Sequence, residues 1–405
     1  MRNVMNWINN IKNGLVIIAS TFALYSLICL PFYFLNTLDQ KNAPNKYDSN
    51  TIRATYPNYE QENIKYAVKI FEDYAAPKTS YHSFVGYRRN QYDGEAVTVG
   101  SDGFRNSINH GVNDSVWFFG GSTMWGTGSD DKRTIPSFFA KETGDTVLNL
   151  GESGYNSVQE FIQLQLMLLK GNKPKEVIFY DGVNDGYYFC QNDSQDQIRH
   201  AYTSRFASSV NDHDKIVGKL NKKPLIVFER IFEKIVEFYL HPLVYFQSKT
   251  DEAKSGSNLI SDVPFKSITI TKKYLHCDDP NFAKKAANLT IKSWRAASAL
   301  LQDQGIPVWY VLQPTATVKS YKYKLDYIVN SEKQAIVNEK DSYESYYTAL
   351  KNEFFASCDE FEDCSSFIDL SDLFIDIEDN IFIDTCHVSP NGNSLVSAAL
   401  INRIR

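Results

Sequence analysis

Four short stretches of the chain hold the residue types that acyl-transfer chemistry needs. Ser122 sits in FFGGSTMWG, Gly154 in NLGESGYNS, Asn184 in YDGVND, and Asp384 and His387 in DTCH. A serine hydroxyl attacks a carbonyl only when a base takes its proton. A histidine held through one ring nitrogen by a carboxylate offers that base at the other. The oxyanion that then forms needs donors aimed at it, from backbone N–H groups or a side-chain amide. Ser122, His387 and Asp384 fit the roles of nucleophile, base and orienting acid. The N–H groups of Ser122 and Gly154 and the amide of Asn184 fit the oxyanion donors.

Each stretch alone has an ordinary explanation. Gly-Gly-Ser is most often a turn, though Gly120 and Gly121 also leave the approach to Ser122 uncrowded. Gly154 alone reads as the turn before a helix. Asn184, after Gly182, alone reads as a turn former or helix cap. The neighbouring Asp185 fits loop support by local hydrogen bonds better than chemistry. A lone loop histidine is usually incidental, but His387 has Asp384 three residues before it. Of the other histidines, His276 has Asp278 and Asp279 nearby but lies in an irregular stretch. No C-x-x-C spacing or His/Cys cluster suggests zinc, and this chemistry requires neither metal nor cofactor.

The elements that must position these residues alternate. Residues 115–121, 145–151, 175–182, 306–314 and 366–374 read as five strands. Helices are predicted over 156–171, ended by Gly171, and over 281–305, stopped by Gly305. A last helix follows Ser389 at the N-cap and Pro390 at the first helical position. Such alternation implies an α/β fold with a parallel sheet and helices on both faces. Sites in these sheets lie at the carboxyl ends of strands, where the four stretches fall. Further upstream, residues 38–58 read as a polar linker and 59–76 as a helix. The stretches 83–90 and 95–107 read as strands around a YDGE hairpin.

Together the stretches resemble the SGNH family of GDSL-type esterases and lipases. Its four blocks name Ser, Gly, Asn and His, which map onto Ser122, Gly154, Asn184 and His387, with Asp384 as the aspartate three residues before the histidine. The likeness also takes in GTGSDDKRTIPSFFAKETG and covers roughly 80–190 and 285–405. One departure is that Gly121-Ser122-Thr123 stands where the family often has G-D-S-L, which bears on subfamily and substrate more than on mechanism. The resemblance implies a three-layer α/β/α sandwich with a five-stranded parallel sheet, and a serine esterase working through an acyl-enzyme. It further implies a carbohydrate or cell-surface glycan substrate bearing O-acetyl groups. An O-acyltransferase using the same residues on a glycan acceptor is the alternative. A silent glycan-binding or assembly protein on a hydrolase scaffold is the alternative of another class, and the intact residues speak against it. Partners in a polysaccharide assembly system are not named by the sequence.

Composition narrows the setting. The net charge of −6, without a basic run, argues against nucleic acid as a partner. Aromatics make up 14% of the chain, which suits either dense packing or a groove that stacks sugar rings. Residues 15–35 carry no charge and are long enough to cross a bilayer. Arg2 and Lys12 precede them, so the tail is expected in the cytoplasm, a bias softened by Lys41 and Lys46. A cleaved signal is the alternative, but no small-x-small site follows. The expected layout is a tail and anchor over 1–37, a linker, helix and hairpin over 38–110, and a hydrolase domain over 111–405. A mainly helical insert interrupts that domain at about 190–280. The protein is thus expected in the inner membrane, single-pass, with its catalytic domain on the periplasmic or extracytoplasmic side. In the insert, Leu225, Phe228, Phe232, Ile235 and Tyr239 form one apolar stripe. It suits a helix packed on the core, a lid, or a membrane-facing surface. Of six cysteines, five follow the anchor, so one is left over unless it pairs between chains. Cys358 and Cys364 either close a small loop or stay reduced.

Overall fold

The computed structural model describes residues 52–191, 275–319, 321, 325–361 and 364–405, with scattered positions between Lys12 and Pro31. The chain divides into two units, 1–46 with 205–258, and 47–204 with 259–405. In the first, the described positions between Lys12 and Pro31 are helical. Among the described residues no helix is long and apolar enough to cross a membrane. Much of the expected anchor and the apolar stripe of the insert lie outside the described residues.

The second unit opens with residues that composition assigns to a linker. Residues 52–58 are instead packed: Ala54 and Tyr56 are buried with Tyr59, Ala67, Phe71 and Ile383. The polar letters around them conceal widely spaced buried positions with no strand or helix period. Helix α1 (Ile64–Ala75) follows, capped by the Asn63 side chain on Lys65 N. Strands β1 (Thr79–His82) and β2 (Gly86–Arg89) form one antiparallel pair, and β3 (Tyr92–Asp93) and β4 (Thr98–Val99) another. The YDGE hairpin is therefore present as β3–β4. The stretch 83–90 is not its partner; it makes the turn of the preceding hairpin, with Phe84 at φ 71°, and then β2.

The sheet comprises β5 (Val116–Gly120), β6 (Val147–Asn149), β7 (Glu176–Asp181), β8 (Val308–Leu312) and β9 (Phe367–Asp369). The order is β6-β5-β7-β8-β9 and every pairing is parallel. Strands β5 and β7 are buried at every position, as a sheet covered on both faces requires. Alternate residues supply two cores. Trp117, Phe119, Val177, Phe179 and Tyr310 face α4 (Ser157–Leu169), α6 (Pro280–Gln302) and α7 (Asn330–Ala356). Val116, Phe118, Ile178, Tyr180 and Val311 face α3 (Ile135–Thr143) and α8 (Pro390–Ile404). The result is a three-layer α/β/α sandwich. Two short helices, α2 (Ser122–Trp125) and α5 (Val183–Phe189), sit at strand ends.

Much of the aromatic surplus goes into the first core. Across adjacent strands Phe119 stacks on Phe179 at 4.9 Å, and Phe179 on Tyr310 at 5.7 Å. Trp294 of α6 stacks on Tyr310 at 5.0 Å. Helix α7 was not foreseen. Its buried face is Tyr343, Tyr346, Tyr347, Leu350 and Phe354, a helical spacing carried mainly by tyrosines in a charged stretch.

Cys190 bonds Cys277, and Cys358 bonds Cys364. The first bond spans 87 residues and, beside the Gln191–Leu275 bridge, ties together the two ends of the insert. Cys386 is a free thiol. Cross-linking so long a loop removes unfolded-state entropy worth up to ~4–5 kcal/mol. The Cys190→Ser/Cys277→Ser variant is therefore expected to unfold at clearly lower urea than the parent under non-reducing conditions. An unchanged midpoint would mean that other contacts hold the base of the insert.

Candidate active site

Ser122 begins α2 directly beyond β5, with Gly121 as the N-cap residue. The one-turn helix is held from its far end. Arg105, fully buried, donates from Nη1 to Trp125 O (3.0 Å) and Gly126 O (2.8 Å), from Nη2 to Ser129 O (2.5 Å), and from Nε to Asp131 Oδ1 (3.1 Å). Trp125 O and Gly126 O lie where the helix ends, and there Gly126 O also accepts from Ser129 N (3.1 Å). The guanidiniums of Arg89 and Arg105 lie over the Trp125 ring at 4.0 and 4.3 Å. Gly121 is required by close approach: a Cβ there would meet Asn184 Nδ2 at 2.2 Å.

Gly154 follows β6 in a tight turn in which Tyr155 N donates to Glu152 O (3.1 Å). Its φ of 79° is one that glycine adopts freely. The β1–β2 hairpin braces this turn. Arg89 pairs with Glu152 and donates from Nη2 to Ser153 Oγ (3.0 Å), and Tyr87 OH donates to Ser153 O (2.7 Å). Among the described residues the Gly154 N–H has no acceptor. Asn184 lies in the first turn of α5 and donates from Nδ2 to Tyr155 O at 2.7 Å. That bond fixes the amide beside the turn and leaves its second proton available. Asp185 accepts from Ser157 N (3.2 Å), Ser157 Oγ (2.5 Å) and Thr290 Oγ1 (3.0 Å), which anchors the loop behind Asn184.

The histidine arrives on the loop before α8, whose start is capped by Ser389 Oγ accepting from Gly392 N. His387 Nε2 lies 2.6 Å from Ser122 Oγ, and Nδ1 lies 2.6 Å from Asp384 Oδ2. Asp384 Oδ1 accepts from His387 N (2.7 Å) and Cys386 N (3.0 Å). All five residues named from the sequence thus stand at one end of the sheet, three of them in one hydrogen-bonded line. Arg53 and Glu332 were not named. Arg53 Nη2 lies 3.3 Å from Asp384 Oδ2 and 3.5 Å from Glu332 Oε1. A single buried arginine in a polar stretch leaves no sequence pattern by which to find it.

The electrostatics follow from these contacts. Burial alone favours protonated Asp384. The His387 imidazolium, Arg53 and the hydrogen bonds override it and hold the carboxyl well below the usual range. Burial alone would likewise favour neutral His387. Asp384 overrides it and raises the imidazole well above its ordinary 6.5. The line can therefore take a proton from Ser122 through a strongly basic imidazole.

No protein-family model matches the chain, and no curated protein matches it in sequence. Solved structures similar to it include a G-D-S-L-family protein from Desulfitobacterium hafniense DCB-2, at 11% identity and a TM-score of 0.32, covering 72% of this chain and 99% of that one. A GDSL-like lipase from Bacteroides thetaiotaomicron VPI-5482 is similar at 12% and 0.34, covering 72% and 87%. The acetyl xylan esterase AlAXEase is similar at 15% and 0.35, covering 72% and 99%. At such values the likenesses carry no functional argument, and the chemistry rests on the geometry of the site.

Ser122 should react with a fluorophosphonate probe only while His387 is neutral. The labelling rate is expected to rise with pH through a midpoint above 6.5, the ordinary value for histidine. Asp384→Asn should slow labelling and lower that midpoint, and a parent midpoint at or below 6.5 would contradict this geometry. Gly121→Ala should cut labelling by ~10²-fold by displacing the Asn184 amide, as expected for loss of one oxyanion donor.

Proposed function

We propose that the protein is a serine esterase of the SGNH type. The observation that carries this reading is the line Ser122–His387–Asp384, closed by two hydrogen bonds of 2.6 Å. Ser122 Oγ attacks the ester carbonyl as its proton passes to His387 Nε2. Asp384 holds the Nδ1–H and steadies the imidazolium. The oxyanion takes hydrogen bonds from the N–H groups of Ser122 and Gly154 and the free amide proton of Asn184. Collapse expels the alcohol, which leaves with the proton from His387, and the acyl group stays on Ser122. Water, deprotonated by His387, releases it as the acid.

The substrate in this reading is an O-acetyl ester on a carbohydrate or cell-surface glycan. Two features support a site outside the cytoplasm. The uncharged run 15–35 suits a single membrane anchor, and two disulfides suit an oxidising compartment. Product analysis with an acceptor glycan tells hydrolysis from transfer, because a sugar hydroxyl and water compete for the same acyl-enzyme.

Ser122→Ala and His387→Ala should each abolish hydrolysis of an aryl acetate while keeping the parent's melting temperature, and the double variant should be little worse than either single one. Near-parent turnover in either would sink the reading. Asn184→Ala should lower kcat by ~10²-fold with KM little changed, since the oxyanion exists only beyond the ground state. A rise in KM alone would make Asn184 a ground-state binder. For the anchor, the full-length protein should resist alkaline carbonate extraction from membranes, whereas a chain starting near residue 40 should be soluble and active. Mature protein beginning after residue 30 would show a cleaved signal instead.

A further inference from the structure

Arg53 is 5% exposed, and its Nη2 lies 3.3 Å from Asp384 Oδ2. That oxygen also accepts the His387 Nδ1–H. On its other side Nη2 lies 3.5 Å from Oε1 of Glu332, in the first turn of α7 and 8% exposed. The wall around this group is built. Asn58 Nδ2 donates to Asn380 O (2.6 Å), Tyr327 OH to Phe382 O (2.7 Å), and Val329 N to Tyr56 OH (3.3 Å). Tyr59, Phe71 and Ile383 close the apolar side. The Asn58 bond and the packing of Tyr59 and Phe71 on Ile383 tie residues 52–59 to the loop that carries Asp384 and His387.

Resting on the esterase reading, we infer that Arg53 is a positioning residue of this site. It fixes Asp384 in the orientation that meets His387, and the Arg53–Glu332 pair sets how much of the Asp384 charge the ring feels. Two cations, the guanidinium and the imidazolium, compete for one carboxylate oxygen. Arg53 therefore opposes protonation of His387, and Glu332, by offsetting Arg53, favours it. Charges a few ångströms apart in a partly buried setting interact strongly enough to shift a titration by about one unit.

The other groups around the ring do not substitute for this pair. Asp384 and Cys386 lie on its own loop, and burial keeps the Cys386 thiol neutral by raising it. Ser122 faces it from α2. The phenols of Tyr56 and Tyr59, on the segment that carries Arg53, are raised by burial and stay neutral. Beyond Tyr59, Arg133 and Glu62 pair with each other.

The test is the acid limb of kcat/KM for an aryl acetate, measured on the full-length protein. Arg53→Met should lower kcat and move the limb to higher pH by about one unit, as loss of a nearby cation does. Arg53→Lys should return the limb toward the parent, and Glu332→Gln should move it to lower pH. A limb unmoved in both Arg53→Met and Glu332→Gln, or moved the same way in both, overturns the inference. Should Arg53→Met fail to fold, Glu332→Gln decides alone: a downward shift supports the inference and no shift overturns it. Hydrolysis retained in Ser122→Ala would instead sink the esterase reading. An inactive Ser122→Ala with an unmoved limb in the other variants sinks only the role of Arg53.

Discussion

A carboxylate taken out of water costs several kcal/mol unless every lone pair meets a donor or a cation. Asp384 is 2% exposed and meets that condition fully. Oδ1 takes two backbone N–H groups of its own loop, and Oδ2 takes the His387 ring and faces Arg53. The loop is wound around its own acid, so His387 has little freedom to turn away from Ser122. The same wrapping links residues far apart in sequence, because Arg53 comes from the start of the second unit and the other partners from the approach to α8. If Asp384 were left without them, the ring would lose its orientation and the loop its reason to close.

On the opposite side of Ser122 the precision has another source. Three adjacent strands end in three short turns, and each turn supplies one donor. Their spacing is set by the parallel register in which Gly120 stands opposite Tyr180, so the ends of β5 and β7 lie side by side. Side chains then fix the last ångström. Asn184 is bonded to Tyr155, Gly121 leaves room for that amide, and the β1–β2 hairpin holds the turn containing Gly154 through Glu152 and Ser153. The stacked rings of Phe119, Phe179 and Tyr310 stiffen the sheet beneath. Donors placed before the reaction need no reorganisation as charge develops.

The sheet, its five strands and the terminal helix were legible because their signals are local. A buried parallel strand is a short apolar run ending in glycine, and Ser389-Pro390 announces a helix start. The five candidate residues were legible because each sits at such a boundary. Other features escaped for a common reason. Arg53 with Asp384, Arg89 with Glu152, and Cys190 with Cys277 are pairings between distant parts of the chain, and no periodicity records them. The β1–β2 pairing escaped because the positive φ inside its turn falls on Phe84, with Gly86 (φ 92°) only at the start of β2. Helix α7 escaped because its buried stripe is written mainly in tyrosine.

Two aspartates show how far one fold can push the same side chain in opposite directions. Asp384 is held ionised by cations and N–H groups. Asp181, at the end of β7, is driven up to about 8, first by burial and then by the charge of Asp185. Its Oδ2 accepts from Trp294 Nε1 at 2.7 Å, and fully buried Glu160 and Asp185 lie close by, both also raised by burial. Around neutral pH Asp181 and Glu160 keep protons, so the cluster holds Ser157, Thr290 and Trp294 without the cost of several unpaired charges. The loop behind Asn184 is thereby anchored within a group of acids that burial raises, and the loop of His387 by one that is held ionised. The second suits its place, because a negative charge behind His387 favours an imidazolium there.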